Sequence, residues 1–508
     1  MGGLSEQEEE AVRLMTTGGD ARIALDPATG LNRYFSAPRP SEVLAYASST
    51  ANDISAEAFA RAAALVGEIG TKLPGRGYEA RLEALRARIR RAYAVADAVA
   101  IVFAPSGTDL EYIALACVAG KGAAGTHNIL LGADEVGSGC IHSAHGLYFA
   151  DSTALGIATR AGEPVPGLGE TRVEMIDIPV RDGKGRPRPS AEIAARMDEA
   201  VRGAKADGRH ALVHVVHGSK TGLILPSLDD IDRLRAAHGE AIDFVVDACQ
   251  ARITSPAIAD YLARGAIVFV TGSKFMGGPP FSGFALVPAA MAAQAAALPA
   301  GLATLFRRAE WPADWPGAKA LPDGSNPGLL LRLEASLFEL ERFQALSLDV
   351  VSRVVLAFHA SVRSEIIEKM PVHRVAPYPP GDKEEADTHP IEMRTLSTLD
   401  LSECGGGATF EDSQAWHKAM AGRGVRLGQP VKCVRLPDGR WGATLRIGLS
   451  MPLVVDRASL PAEELAQSFE RDMAKVREAL EAVAGSSPPC VQGGEQVRPP
   501  PPSAGRPS

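Results

Sequence analysis

The sequence predicts an α/β protein: a large unit built on a mostly parallel sheet sandwiched by helices, with a smaller C-terminal α/β unit after it. Three observations predict this. Short apolar, β-branched runs at residues 244–246 and 266–270 end abruptly in polar residues, as buried parallel strands do. Such runs alternate along the chain with stretches of helical periodicity. The length of 508 residues leaves room for more than one core.

Residues 1–20 are polar and read as poorly ordered. The turn-rich segment DPATGLNRYFSAPRP reads as a loop. Residues 56–94 read as helical, with the arginines of ARLEALRARIRRAYAV on a solvated face. The strand AVAIVFAP leads into Ser106-Gly107-Thr108-Asp109 and an apolar helix, LEYIALACVAG. A strand, a glycine turn and a helix start together offer free backbone N–H groups to an anion. NILLGADEVGSGCIHSAHG reads as strand, loop and helix. ALVHVVHGSKTGLILP is another strand ending in a polar turn, and its Lys220 reads as a solvent-facing charge. SLDDIDRLRAAHG is a helix with Ser227 at its N-cap.

The strand at 244–246 stops at Asp247, with Gln250 three residues on. The strand at 266–270 stops at Thr271-Gly272-Ser273-Lys274. Residues 284–287 then return as a hairpin strand. An Ala-rich helical stretch and an irregular segment follow, before the helix LLLRLEASLFELERFQAL, whose charges read as surface pairs. From about residue 347 a second unit begins. It contains strands in IEMRTLSTLDL and WGATLRIGLSM, the helix FEDSQAWHKAMAGRG, a hairpin turning at Pro437-Asp438-Gly439, and a closing helix. The organisation expected is therefore an N-terminal segment over 1–50, a large unit over 51–335, a small unit over 336–486, and a Pro-rich disordered tail over 487–508.

Composition narrows the class. A net charge of −8 argues against nucleic acid as the main partner. No apolar run reaches the length of a transmembrane helix, and the first residues lack a signal-peptide pattern. Six cysteines without a C-x-x-C pair suggest reduced thiols in a cytoplasm and no metal site.

In a parallel sheet, ligands bind outside the carboxyl ends of the strands, so Asp247 and Lys274 face one crevice. A structural salt bridge is one account of them. The other is a lysine that forms an imine with an aldehyde cofactor, with a carboxylate that keeps the cofactor's ring nitrogen protonated. Asp-x-x-Gln followed by Thr-Gly-Ser-Lys supplies both, with hydroxyls for a phosphate. Over roughly residues 40 to 460 the chain resembles fold-type I pyridoxal-phosphate enzymes of the class V aminotransferase and cysteine desulfurase superfamily.

The resemblance implies a seven-stranded, mostly parallel sheet and pyridoxal 5'-phosphate as cofactor. Lys274 would hold it, Asp247 would pair with the ring nitrogen, and Gln250 would donate to the phenolic oxygen. Gly107, Thr108, Thr271 and Ser273 would bind phosphate, and Ser219 would lie near the ring oxygen or the substrate. The turn Gly324-Ser325-Asn326-Pro327 would bring Ser325 to the phosphate of a second subunit in a homodimer. Arg446 would clamp the substrate carboxylate, with the stretch from Asn32 to Tyr34 crossing the mouth of the site and offering a substrate contact, Asn32 first among them. Where relatives carry a ring-stacking histidine, this chain reads Glu135-Val136-Gly137-Ser138, which leaves His142 as the candidate or Ser138 beside an open ring face.

The activity implied is that of an enzyme acting on an amino acid through an external aldimine, as an aminotransferase or lyase. A cysteine desulfurase or selenocysteine lyase using Cys433 is the alternative, and a non-catalytic cofactor-bound regulator a further one. Counting back from the hairpin turn puts Cys433 in a paired strand opposite Ala443, between apolar neighbours, which suits an inert thiol. Cys404, in ECGGG, is a second candidate nucleophile, and Cys249 reads as packing.

Overall fold

The computed structural model describes residues 4–70, 73–133, 135–137, 139–168, 172–379 and 390–485. The expected disordered tail and Ser138 lie outside the described residues. The central sheet runs in the order Ala100–Ala104, Gly283–Val287, Ile267–Thr271, Ile242–Asp247, His210–His217, Thr126–Leu131, Val173–Ile178. Gly283–Val287 is antiparallel to both of its neighbours, and the other pairings along this order are parallel. The hairpin return expected at 284–287 is therefore the antiparallel strand. A two-residue strand, Ile224–Leu225, adds an eighth member against His210–His217. The strands Ile267–Thr271 and His210–His217 are buried throughout, which explains why neither shows the apolar–polar alternation of a half-exposed strand.

A three-stranded antiparallel sheet joins His373–Val375, Leu396–Asp400 and Thr444–Gly448, with Arg446 opposite Thr398. The N-terminal segment is tied to this region. Leu44–Tyr46 pairs in parallel with Val425–Leu427, and Ala47 bridges Gly448. Residues 48–50 are thereby held beside the strand that carries Arg446.

The N-terminus departs from expectation. Glu6–Met15 is a helix with a capping box: the Ser5 hydroxyl accepts from the Glu8 N–H, and the Glu8 carboxylate accepts from the Ser5 N–H. Its Ala11, Leu14 and Met15 are buried against the helices Ala56–Ile69 and Pro327–Gln344. Burying a leucine side chain is worth about 1.5–3 kcal/mol, enough to dock a capped ten-residue helix whose other face is charged. The helical stretch expected over 56–94 is two helices, Ala56–Ile69 and Gly75–Tyr93. The first ends at Gly70, which has a φ of +65°, and Pro74 caps the second.

Two arginine assignments change with tertiary packing. Arg86 does not sit on a solvated face. It is buried over the Phe103 ring and donates to the carbonyls of Ile101 and Ala309. The helix Pro327–Gln344, capped by Asn326 with proline at its first turn, is buried over most of its length; its last turn carries pairs that reach the surface, Arg342 with Glu339 and Glu341 with Arg88, but its earlier charges lie inside. Its Arg332 is fully buried and donates to the carbonyls of Phe281, Met15, Thr17 and Gly18.

Candidate functional site

The carboxyl ends of five strands converge on one cavity of about 220 Å³. Ala100–Ala104 delivers Ser106, Gly107 and Thr108, and Ile267–Thr271 delivers Thr271, Ser273 and Lys274. Ile242–Asp247 delivers Asp247, Cys249 and Gln250. His210–His217 delivers Ser219 and Lys220, and Thr126–Leu131 delivers Glu135 and Val136. Arg446 enters from the antiparallel sheet, with Ser49 and Thr50 from the N-terminal segment.

At one end the chain forms an anion cradle. Gly107 and Thr108 precede the helix Leu110–Val118. A Cβ added at Gly107 would stand 3.1 Å from the Thr271 methyl and 3.4 Å from the Cys249 sulfur, so only glycine leaves that space open. The Thr271 hydroxyl donates to the Cys249 carbonyl at 2.6 Å, and the Ser273 hydroxyl stands 3.5 Å from that of Thr271. Beside them, Arg22 is gripped by Asp20 at 2.7 Å and lies between the rings of Phe149 and Phe281. It donates to the Thr108 hydroxyl at 3.3 Å. Asp109 bonds the Ser106 hydroxyl, and burial pushes its carboxyl up to about 7.

In the middle stand Lys274 and Asp247. The turn before Lys274 is tight, because a Cβ at Gly272 would meet the Ser336 hydroxyl at 2.2 Å. The Lys274 carbonyl is held by the Asn52 amide. One Asp247 oxygen accepts from the Cys249 N–H at 2.9 Å. Behind it, Glu111 and His214 face each other at 3.5 Å. Burial and the charge of Asp247 raise the Glu111 carboxyl well above the carboxylate range, and burial pushes His214 down to about 3. Both shifts run toward the neutral form, Glu111 upward and His214 downward, as burial of either charge requires.

At the far end lies Arg446. Its Nε donates to the Gln429 carbonyl at 2.7 Å. Its Nη1 donates to the carbonyls of Ser49 and Lys220, both at 3.2 Å, and its Nη2 donates to the Thr50 hydroxyl at 3.1 Å. It has no carboxylate partner among the described residues, and burial pulls its guanidinium down to about 10. Gln250 donates to the Ser49 carbonyl and accepts from Arg252. Glu135 is fully buried, paired to Arg181 at 2.7 Å and bonded to the hydroxyls of Ser219 and Thr221. These contacts hold its carboxyl below the usual range despite burial.

Of the sequence candidates, Gly107, Thr108, Ser219, Asp247, Gln250, Thr271, Ser273, Lys274 and Arg446 all line this cavity. Five candidates do not. His142 is exposed. The helix Cys140–Ala144 turns Cys140 into the cavity, and a residue two positions further on lies on the opposite face. Val136 lines the wall instead. Asn32 is buried in its own turn, where its side-chain oxygen accepts from the N–H groups of Tyr34 and Ser36. Tyr34, not Asn32, reaches the cavity. Ser325 is half-buried beside the start of the helix Pro327–Gln344 and does not line its own chain's cavity.

Cys433 lines a different cleft, with Arg181, Lys184 and Arg435. It is buried, and burial pushes its thiol up to about 12. Near it the hairpin is joined by an isolated bridge between Arg435 and Trp441 and by single bonds such as the Gly442 N–H to the Val434 carbonyl, so Cys433 sits in an irregular arm rather than in a strand. Cys404 is also buried and outside the cavity, and its thiol is raised to about 11. Cys249 is more than packing, because it forms part of the cavity floor.

Arg22, Glu135, Arg181 and Lys220 complete the site. Lys220 is not solvent-facing: it lines the cavity. The apolar run before HGSKTG was the available signal, because it makes the turn a strand end in the same sheet.

The fold is that of fold-type I pyridoxal-phosphate enzymes. Solved structures with this architecture include the cysteine desulfurase CsdA of Escherichia coli, at 14% identity and a TM-score of 0.53, covering 87% of this chain and 95% of that one. A NifS-like protein aligns at 11% identity and a TM-score of 0.52, covering 85% and 98%. The cystine C-S lyase C-DES, in complex with cysteine persulfide, aligns at 14% and 0.52, covering 85% and 97%. At these identities the likeness establishes the fold. No protein-family model matches the chain, and no curated protein sequence matches it.

Proposed function

We propose that this chain is a pyridoxal-phosphate-dependent enzyme acting on an amino acid, of the aminotransferase or lyase type. The observation that carries the reading is the placement of Lys274 and Asp247. They stand at the carboxyl ends of adjacent parallel strands, in one cavity with the Gly107 cradle. The donor set fits the cofactor. Ser106, Gly107, Thr108, Thr271 and Ser273 suit its phosphate, in space that a Cβ at residue 107 would fill. Lys274 would hold its aldehyde carbon covalently, Asp247 its ring nitrogen, and Ser219 and Gln250 would stand by its phenolic oxygen.

The bound cofactor would supply an electron sink for bonds breaking at the substrate α-carbon. The residues supply the rest. Asp247 keeps a proton on the ring nitrogen. Arg446, whose hydrogen bonds at 3.1–3.2 Å are long, offers its fork to the substrate carboxylate and so sets which α-bond is aligned to break. The Lys274 amine would hold and move the proton at the substrate α-carbon. The buried Glu135–Arg181 pair fixes Ser219.

A desulfurase working through Cys433 is less well supported, because that thiol lines another cleft and is held protonated. We also propose a homodimer in which Ser325 completes the partner's phosphate site. Its position outside its own chain's cavity supports this.

The test is absorbance and borohydride reduction of protein loaded with pyridoxal phosphate. The wild type should be yellow and be fixed at Lys274, and Lys274→Ala should lose the covalent link. Protein that stays colourless with added cofactor refutes the reading.

A further inference from the structure

Gln250 is held from two sides. Its Oε1 accepts from Nη1 of Arg252 at 2.9 Å, and its Nε2 donates to the Ser49 carbonyl at 3.2 Å. A guanidinium carries only donors, and a backbone carbonyl only accepts. These two neighbours therefore allow one orientation of the amide. Reversing it would set an NH2 group against a guanidinium and a carbonyl against a carbonyl. The Gln250 nitrogen carries a second N–H, and this orientation leaves that group to the cavity that Gln250 lines.

Arg252 is anchored well enough to impose the orientation. It is buried over the Phe275 ring. Its Nε donates to the Thr395 hydroxyl at 2.9 Å, and its Nη2 to the Ser48 hydroxyl at 2.7 Å and the Leu449 carbonyl at 3.3 Å. The Leu449 N–H in turn donates to the Thr395 carbonyl at 2.8 Å. The guanidinium is thus fixed by the N-terminal segment and by both ends of the paired strands Leu396–Asp400 and Thr444–Gly448 that meet beside it. A Cβ at Gly448 would stand 3.2 Å from Nη2, so the strand packs closely on it. Between Gln250 and Arg252, Ala251 is held at a φ of +57°, in the left-handed region that a residue with a side chain adopts only under constraint. The Ser49 carbonyl also accepts from Arg446 at 3.2 Å, which continues the line of hydrogen bonds from Arg252 through Gln250 to the carboxylate clamp.

We propose that Arg252 is a positioning residue, which fixes the Gln250 amide so that its N–H, and not its C=O, meets the phenolic oxygen of the cofactor. This rests on the reading of Lys274 as the cofactor lysine and of Gln250 as the partner of the phenolic oxygen. An N–H at that place stabilises the ionised phenolic oxygen, and so lowers the pH at which the lysine-linked cofactor gives up its proton. A carbonyl there would raise it.

The test is a pH titration of cofactor absorbance in protein loaded with pyridoxal phosphate, on wild type, Arg252→Met, Gln250→Leu and the double variant. Arg252→Met and Gln250→Leu should each raise the midpoint by about one pH unit, the size of a hydrogen bond to a charged oxygen. The double variant should rise no further than Gln250→Leu alone, because Arg252 acts through Gln250. An unchanged midpoint in Arg252→Met overturns the proposal. So does an equal further rise when Arg252→Met is added to Gln250→Leu, which would mean that the arginine's charge acts directly. A midpoint lowered by Gln250→Leu overturns it too, because the carbonyl would then face the ring, and this arm decides even if Arg252→Met does not fold. Absent borohydride fixation at Lys274 in the wild type overturns the cofactor reading and this proposal with it, whereas fixation with any of the preceding contrary results overturns the role of Arg252 alone.

Discussion

Among the described residues, Arg332 and Arg446 are both fully buried arginines without a carboxylate partner. Arg332 lies inside the helix Pro327–Gln344, and Arg446 on the strand Thr444–Gly448. Burial pulls both guanidinium groups down, to about 9 and about 10. By burial and charge alone they are the same object. They differ in what their donors meet. Arg332 makes four bonds to backbone carbonyls, three of them at 2.7–2.8 Å, and knots the N-terminal segment to the core. Arg446 has one bond of 2.7 Å and three of 3.1–3.2 Å, and it faces the cavity of Lys274. A buried cation whose donors are spent is a structural tie. One with long, exchangeable bonds at the wall of a cavity is a place for an anion.

The sharpest way to break this comparison is to remove each guanidinium. Arg332→Met should take the donor from three carbonyls, those of Phe281, Met15 and Thr17, while Gly18 keeps the Asn326 amide, and cost about 3–5 kcal/mol of stability. Urea denaturation measures it, and a loss below about 1 kcal/mol would show that the knot is dispensable. Arg446→Met should cost little stability but lower kcat/KM by about 100-fold or more, with the cofactor spectrum retained. If activity survives and stability collapses, the two arginines have been assigned the wrong way round.

A smaller effect sharpens the contrast between the cradle and the substrate end. The Asp109 carboxyl is raised to about 7 from an unfolded value near 3.8. The folded state therefore holds a proton that the unfolded state has lost across that window. The stability it contributes is fully present below about pH 4 and is lost as pH rises through about 7. Asp109→Asn should flatten this decline, and unfolding curves at about pH 5 and about pH 8 read it directly. The ionised form also stands next to Gly107 and Thr108, so if these hold the cofactor phosphate as proposed, cofactor affinity should fall over the same range in wild type and not in the variant. An identical pH dependence in both proteins would remove Asp109 from the account. The smallest effect belongs to Cys433→Ser, a buried thiol outside the cavity. It should lose about 1 kcal/mol of stability and keep most activity. Loss of sulfide release from cysteine, with other activity intact, would instead favour the desulfurase alternative.

Much of the site was legible in the chain because strand ends are. Asp247, Lys274, Gly107 and Ser219 each follow an apolar run that stops at polar residues, and in a parallel sheet those stops share one edge. The misreadings share a cause as well. Residue type points to His142, but helical phase within five residues decides its direction. Neighbourhood points to Asn32, but an asparagine in a turn is as apt to satisfy its own backbone. Residues 1–20 are polar on average, yet Ser5-x-x-Glu8 before Ala11, Leu14 and Met15 spells a capped amphipathic helix.

By itself, then, the sequence determined the α/β order of elements, the mostly parallel sheet and the residues at its carboxyl edge, because periodicity and turn chemistry are local. Only the tertiary structure decided which charges belong to the site. Whether Lys220 faces water or the cavity, whether Arg86 and Arg332 lie on the surface or beneath it, and whether Cys433 meets Lys274 all depend on what packs against each residue from distant segments. Residues 48–50 reach Arg446 only because Leu44–Tyr46 pairs with a strand nearly four hundred residues later. Such a pairing is selected by the burial of whole elements against one another, and no local pattern carries it.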